Sequence, residues 1–385
     1  MKILIIRTFP YELNINSYNC QELGLAKALI RKGHQCDIVL FTAKNEDYED
    51  IIKCDDTNVI HIFYMKARNF LNNGLFGKKI FKIIKEYDMI QCSEYDQIFN
   101  RKIEKYAKHM VIYHGPYASK YTKGYNKKCM LSDFIYLFHR QYKKTMCIAK
   151  SSLAEEFLRK KGFYNVKTVG VGIDLEKLNL DTEINLKIKE LEDKKKTENL
   201  QYLLHIGRLV EDKNTLFLVD LYNKIHNKHS NVRLIIVGNG KEDYKNLVFE
   251  KIKQYGLEKN VIYFDKLQQK EIAQLYKIAD IFLLPSKYEI FGMVLLEAMY
   301  FGLPVLTTLN GGSSTLIKNE ENGFICKLDE IEKWEGYIDN LLKDKTFYNK
   351  ISKNAKSCIE NHFTWDKLAD EFIKIYEKVE KSNEN

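Results

Sequence analysis

The chain of 385 residues is short of several features that would place it in other protein classes. Its four prolines do not gather into a linker or a polyproline tract. Its eight cysteines are scattered and form no C-x-x-C pair, so neither a disulfide framework nor a zinc ligand set is expected. Reduced, mostly buried thiols are expected instead. No uninterrupted apolar run approaches the ~18 residues of a membrane-spanning helix. No apolar leader with a cleavage site stands ahead of the strand-like run Ile3–Ile6, and a cytoplasmic location is the expectation. Nowhere do two aspartates stand as D-x-D, the pair by which many enzymes hold a nucleotide diphosphate through a divalent cation.

What is present is a soluble balance, with 45% hydrophobic and 29% charged residues. The length suits two domains rather than one core. The net charge of +9 is uneven, with Lys+Arg minus Asp+Glu at +11 over residues 1–180 and −2 over 181–385. Most of the excess lies between Arg101 and Lys167. A basic first half can draw nucleic acid, an anionic membrane surface or a phosphorylated acceptor, or can be a solvated lysine-rich surface.

Apolar strand runs alternate with helical stretches from the start. Ile3–Ile6, Cys36–Phe41, Val59–Tyr64, Met89–Cys92, Met110–Tyr113 and Thr145–Ala149 read as strands, and Gln21–Lys32 as an amphipathic helix with Leu23, Ala26, Leu29 and Ile30 on one face. After Gly170 and Gly172 a second series follows: Tyr202–Ile206, Arg233–Val237, Val261–Phe264, Ile281–Leu284 and Pro304–Thr307. The alternation predicts an α/β protein with parallel, doubly wound sheets in two similar domains facing across a cleft. Trp365–Glu380 reads as a closing amphipathic helix carrying Leu368, Phe372, Ile375 and Tyr376 on one stripe.

Chemistry concentrates at three places. The strand Ile281–Leu284 runs through Pro285 and Ser286 into a loop with Glu289, and a helix starts near Met293 just after Gly292. Backbone amides and the positive helix end at such a junction suit a phosphate, and glycine lets the phosphate approach. Glu297, one turn into that helix, suits a ribose diol, and Glu289 suits sugar hydroxyls. Gly207-Arg208 and Lys213 follow the strand Tyr202–Ile206, where an open α/β sheet gathers its ligands. Two cations there would neutralise a leaving diphosphate in place of a metal, and Asp212 could cap the following helix. His114-Gly115 ends the strand Met110–Tyr113 and could meet a sugar hydroxyl or a phosphate. His205 suggests no role.

The segment ADIFLLPSKYEIFGMVLLEAMYFGLPV resembles the signature of glycosyltransferase family 4, whose members are retaining enzymes of the GT-B fold. Gly207-Arg208 with Lys213, Val237-Gly238-Asn239-Gly240, Gly170 to Asp174, Asn322-Gly323 and the helix around Trp365 agree. The resemblance implies two Rossmann-like domains, an acceptor-binding one over 1–170 with a returning helix 366–385, and a nucleotide-sugar-binding one over 171–365. It implies that Arg208 and Lys213 hold the donor diphosphate, that Glu289 of the E-x7-E motif contacts the donor sugar and that Glu297 binds the ribose. Ile290, Phe291, Gly292, Met293 and Val294 would line the sugar and phosphates, Leu267 would meet the base, and His114 would lie near the reacting sugar. The family's first loop commonly has a Gly-Gly pair where this chain has Leu13-Asn14-Ile15-Asn16-Ser17, so Asn16 and Ser17 are expected to supply donors instead. Ser313-Ser314-Thr315 stands where the family commonly has a glutamate. The implied activity transfers a sugar from a nucleotide diphosphate-sugar, a UDP-sugar rather than a GDP-sugar, to a hydroxyl acceptor, in cell-surface polysaccharide or glycolipid assembly. No metal or other cofactor is expected. A saccharide or lipid-linked acceptor is the expected second substrate, and nucleic acid is not an expected partner. An epimerase of the same fold and a non-catalytic membrane- or nucleic-acid-binding protein are the alternatives. A helix with Leu131, Phe134, Ile135, Leu137, Phe138 and Tyr142 near helical spacing, beside Arg140, Lys143 and Lys144, would rest on an anionic leaflet or pack into the core.

Overall fold

The computed structural model describes residues 1–15, 20–136, 140–178 and 185–382. It divides into two compact units, Met1–Ile173 with Phe363–Asn385, and Asp174–His362. The first unit is built on β1 (Lys2–Ile6), β2 (Gln35–Phe41), β3 (Tyr48–Lys53), β4 (Val59–Met65), β7 (Met89–Ser93), β8 (His109–His114), β9 (Met146–Ala149) and β10 (Val166–Thr168), with a separate hairpin of β5 (Ala67–Phe70) and β6 (Asn73–Phe76). The sheet order is β10-β9-β8-β7-β1-β2-β4-β3. Every pairing is parallel except that of β3 with β4. Helices cover both faces of such a sheet, so its strands are buried on both sides and read as continuous apolar runs. Ile3, Leu4, Ile38, Val39, Val111 and Ile112 are accordingly buried.

The closing helix Trp365–Ser382 belongs to this first unit and packs on the helix Gln21–Arg31. Its stripe of Leu368, Phe372, Ile375 and Tyr376 is buried, and the Tyr376 hydroxyl donates to Gln91 Oε1 at 2.7 Å. Trp365 holds the start of the helix in place by lying against two glycines. A Cβ added at Gly24 would stand 2.3 Å from Trp365 Nε1, and one at Gly172 would stand 2.4 Å from Trp365 Cδ2. Gly172 is therefore a seat for an indole as well as part of a chain exit.

The second unit carries β11 (Gln201–Ile206), β12 (Val232–Val237), β13 (Val261–Phe264), β14 (Ile281–Leu284), β15 (Val305–Thr307) and β16 (Phe324–Ile325) in the order β13-β12-β11-β14-β15-β16, all parallel. His205 sits fully buried in β11, with Nδ1 2.9 Å from the Leu283 carbonyl of β14. That carbonyl only accepts, so Nδ1 carries the hydrogen and Nε2 is left as an acceptor. Nε2 is buried without a hydrogen-bond partner among the described residues.

Three pieces differ from the sequence expectation. β3 and the β5–β6 hairpin are strands that no apolar run announces. Tyr142 is buried, its hydroxyl donating to the Tyr95 carbonyl at 3.2 Å, so it belongs to the core and not to an outward stripe. Leu131 and Phe134, on the helix Lys123–Tyr136, are 43% and 62% exposed, while Leu137 and Phe138 lie outside the described residues.

Gly172→Ala is expected to destabilise the first unit by ~1–3 kcal/mol, because the methyl group collides with a packed ring. Gly336→Ala, inside the helix Ile331–Lys343 with nothing within 4 Å of its added Cβ, is expected to stabilise by ~0.5–1 kcal/mol. Urea unfolding followed by tryptophan fluorescence compares them; a Gly172→Ala midpoint equal to wild type would mean that the indole is loosely seated. Burial pushes the His205 ring down to about 4, against the pull of the Leu283 carbonyl. In the unfolded chain the ring titrates near ~6.5, so between these values only the unfolded state holds the extra proton. Stability of the second unit should therefore fall on acidification through that window, and His205→Gln should make the fall shallower. Urea midpoints measured against pH test this, and an unchanged slope in the variant would exclude His205 as the source.

Candidate active site

In the second unit all six strands end at one edge, and the exit loops of β11, β13 and β14 carry the site residues singled out in the sequence. The loop after β11 bears Gly207, Arg208 and a 3₁₀ turn, Glu211–Lys213, that sets Lys213 ahead of the helix Thr215–Lys228. The helix begins at Asn214, which has a left-handed backbone with φ 57° and no side-chain cap. Asp212 therefore caps nothing; its carbonyl instead accepts from the Lys287 amide at 2.8 Å, which ties this loop to the one after β14.

Glycines bring the loops together. A Cβ on Gly238 would lie 2.0 Å from the Gly207 carbonyl oxygen, and one on Gly240 would lie 1.8 Å from that of Leu209. The loop after β12 is thus laid backbone to backbone on the loop after β11, with the Leu209 amide donating to the Asn239 carbonyl at 2.9 Å. On the other side, a Cβ on Gly311 would be 2.0 Å from Ile290 O, and one on Gly312 would be 1.7 Å from Phe291 O. The Gly311 amide donates to the Glu289 carbonyl at 3.0 Å. Asn310 closes this second loop, its side-chain amide donating to Thr307 Oγ1 at 3.0 Å and to the Thr308 carbonyl at 3.1 Å. Ser313, the first residue of the Ser313-Ser314-Thr315 stretch, donates to the Thr308 carbonyl at 2.8 Å and accepts from the Asn310 amide at 2.8 Å. It serves the turn.

Lys213 and Glu289 meet in this frame. The Lys213 ammonium donates to Glu289 Oε1, and the two side chains are 16% and 13% exposed. Arg208 is exposed, and its guanidinium has no carboxylate partner among the described residues. Gly292, with φ 75°, precedes the helix Met293–Tyr300 and supplies no side-chain cap; its carbonyl accepts from the Leu295 amide at 2.9 Å, and the Met293 and Val294 amides are left for another acceptor. Phe291 is buried beneath them, Ile290 is 42% exposed, and Met293 and Val294 are half-buried. Glu297 is buried, its Oε2 accepting from the Tyr276 hydroxyl at 3.0 Å and from Gln269 Nε2 at 3.1 Å. Gln269 opens the helix Gln269–Ile278, so the half-buried Leu267 just before it is tied to the same carboxylate. Tyr276 and Gln269 were not singled out in the sequence, since both sit on a helix whose pattern reads as packing. Ser286 is buried at the end of β14 with an unpartnered hydroxyl, and it too gave no sequence signal.

His114 lies in the first unit and is fully buried. Its Nδ1 is 2.6 Å from Glu94 Oε2, and Nε2 has no hydrogen-bond partner among the described residues. Tyr95 stands edge-on to the ring at 5.3 Å, and Phe157 stacks on it at 5.8 Å. Glu94 takes a left-handed backbone, φ 49°, accepts from the Gly115 amide at 2.9 Å and lies 3.6 Å from Lys150 Nζ. Burial alone would raise the Glu94 carboxyl, but Lys150, the His114 ring and that amide outweigh it and bring it to about 2. Glu94, Asp96 and His114 have ligand atoms all within 4.8 Å of one another, the one such group among the described residues. Lys150 beside Glu94, and Lys128 with Nζ 2.6 Å from Asp96 Oδ2, already supply two positive charges to it. Asn16 and Ser17 lie outside the described residues.

The structure thus brings Gly207, Arg208, Lys213, Leu267, Glu289, the 290–294 segment and Glu297 to one edge of one sheet. Residues 187–358 match the family model described as Glycosyl transferases group 1, and residues 23–177 match that of Glycosyltransferase Family 4. The chain is 28% identical over 372 residues, 92% of each protein, to the uncharacterized glycosyltransferase MJ1607 of Methanocaldococcus jannaschii. It is 28% identical over 189 residues to the N-acetyl-alpha-D-glucosaminyl L-malate synthase of Bacillus anthracis, a match spanning 49% of this chain and about half, 48%, of that enzyme. Among solved structures, Anabaena Alr3699/HepE in complex with UDP superposes with a TM-score of 0.73 at 19% identity, over 98% of this chain and 100% of that one. That likeness shows the fold, the GT-B arrangement of two Rossmann-like units. With the two models matching successive halves, the chain belongs to the group 1 glycosyl transferases of glycosyltransferase family 4.

Proposed function

We propose that this glycosyltransferase takes its sugar from a UDP-sugar held by the second unit and transfers it, with retention of configuration, to a hydroxyl of a saccharide or lipid-linked acceptor bound through the first unit. One observation carries this reading: Lys213 and Glu289, on the exit loops of neighbouring strands, are paired beside the uncapped start of a helix and the unpaired Arg208. The donor diphosphate would lie against Arg208, Lys213 and the amides at Met293 and Val294. Glu289 would then accept from sugar hydroxyls, Glu297 from the ribose, and the backbone around Leu267 would meet the base. As the bond from the anomeric carbon to the diphosphate oxygen breaks, the cations and amides stabilise the charge on the leaving group. The acceptor oxygen forms its bond from the same face, and its proton passes to a phosphate oxygen. UDP as the nucleotide of the donor is supported by the complex of the structurally similar HepE with UDP.

The first unit supports a lipid-linked acceptor through its exposed Met130, Leu131 and Phe134. Lys128, held on Asp96, is a structural cation and not part of a free basic face.

Glu289→Gln and Lys213→Ala are each expected to lower turnover at least ~100-fold, the usual cost of losing one transition-state partner. Near-wild-type rates in a variant with an unchanged circular dichroism spectrum would remove that residue from the site. A thermal-shift screen of nucleotide sugars should show stabilisation by UDP-sugars above GDP-sugars, growing with ligand concentration. Incubating the donor without acceptor separates transfer from epimerisation, which would turn over alone. Because Arg208, Lys213 and a helix start are available to the diphosphate, activity should persist in excess EDTA. A loss restored by Mg²⁺ or Mn²⁺ would place a cation on the diphosphate instead.

A further inference from the structure

The β5–β6 hairpin was not anticipated in the sequence, and the transfer reaction makes no use of it. Its base borders a groove of about 1080 Å³ in the first unit. Four aromatic rings in a row form the floor: Phe76 and Phe99 have centroids 5.7 Å apart, Phe99 and Phe81 5.9 Å, and Phe81 and Tyr106 4.3 Å. Lys66, Arg68, Lys78, Lys102 and Lys105 form the rim, and no Asp or Glu lines the groove among the described residues. All five are exposed, and all but Lys66, which donates to the Asn45 carbonyl at 3.0 Å, have no ion pair or side-chain hydrogen bond among the described residues. The hairpin turns at Leu71 and Asn72, whose φ values of 51° and 59° are those of a tight two-residue turn. Phe70 and Leu71 at its tip are each 53% exposed.

The lining decides which ligand fits. Among its side chains only the Tyr106 hydroxyl can accept a hydrogen bond, because lysine and arginine only donate. A saccharide or a nucleobase, rich in donors, would find almost no side-chain acceptors here. An anion joined to hydrocarbon finds both of its partners, cations at the rim and rings on the floor. We propose that the groove and hairpin dock on a membrane leaflet containing anionic phospholipid, with a phosphate headgroup drawn to the rim and Phe70 and Leu71 entering the interface. The inference deepens the lipid-linked reading of the acceptor by naming the element that reaches the lipid. It stands independently of the donor-site assignment.

The test is co-sedimentation of the full chain with vesicles of phosphatidylcholine alone and of phosphatidylcholine with equal parts phosphatidylglycerol. Binding should require the anionic lipid and weaken in high salt. Each cation near such a surface is worth about fivefold in affinity. Replacing Arg68, Lys78, Lys102 and Lys105 together by Gln should therefore weaken binding at least ~100-fold. Phe70→Ser with Leu71→Ser should weaken it at least ~10-fold. Unchanged stabilisation of these variants by UDP-sugar in thermal shift would show the second unit intact and separate this result from the donor-site reading. Equal binding to neutral vesicles, or full binding by the four-residue Gln variant or by the Phe70→Ser, Leu71→Ser variant, would overturn the proposal. A labelled single-stranded oligonucleotide bound as tightly as the vesicles, and lost in the same variants, would overturn the lipid assignment in favour of a nucleic acid.

Discussion

At the carboxyl edge of the second sheet, two pairs of loops touch backbone to backbone, and carbonyl oxygens occupy the places where side chains would stand. Gly238 and Gly240 admit the carbonyls of Gly207 and Leu209, and Gly311 and Gly312 admit those of Ile290 and Phe291. A methyl group at any of the four would sit at 2.0 Å or less from an oxygen, a distance no rotamer relieves. The candidate donor site depends on this contact. It fixes the course of the 207–213 and 289–293 segments, and hence the place where Lys213 reaches Glu289. Sites held on such a frame keep their charged groups oriented before a ligand arrives, and electrostatic stabilisation of a leaving group then needs little reorganisation.

The same frame explains how charges of both signs coexist there. Glu289 is only 13% exposed, and a carboxylate so placed needs a partner; Lys213 provides it in the free protein. Glu297 is buried deeper, and its carboxylate accepts from neutral donors, the Tyr276 hydroxyl and the Gln269 side-chain amide. The two glutamates of the E-x7-E motif thus differ in kind. On the proposed assignment this difference matches their tasks: the outer one shares its lysine with the diphosphate, and the inner one meets a ribose at a rigid position.

The parallel strands were legible because strands buried on both faces must be nearly continuous apolar runs, as in Ile281–Leu284 and Leu234–Val237. β3 was not, because none of its six positions is buried and it adds antiparallel to an edge. The β5–β6 hairpin was hidden for a related reason: its turn uses Leu71 and Asn72 at positive φ, where the usual signal is glycine. In the candidate site, glycines and charged residues could be read from spacing, since strand ends gather ligands. The residues that hold them could not. Tyr276 acts through a tertiary hydrogen bond to a position 21 residues away, and neither spacing nor residue type announces such a bond.

His205 shows the limit of reading a residue by its neighbours in sequence. Inside an apolar strand it looks like core filling, yet it is a polar ring fixed to β14 by one nitrogen, with the other left bare beside Gly207. A Cβ on Gly207 would come within 3.3 Å of that bare Nε2 and 3.8 Å of Lys213 Cγ, so the ring, the glycine and the lysine stem share one small space. Burial and the nearby Lys213 both disfavour a second proton on the ring. A cationic histidine there would repel Lys213 from beneath, whereas the neutral ring leaves the lysine charge to Glu289. The low basicity of His205 and the pairing of Lys213 with Glu289 are thus two sides of one arrangement: the strand interior stays uncharged so that the charge at its end is free to be spent on the site.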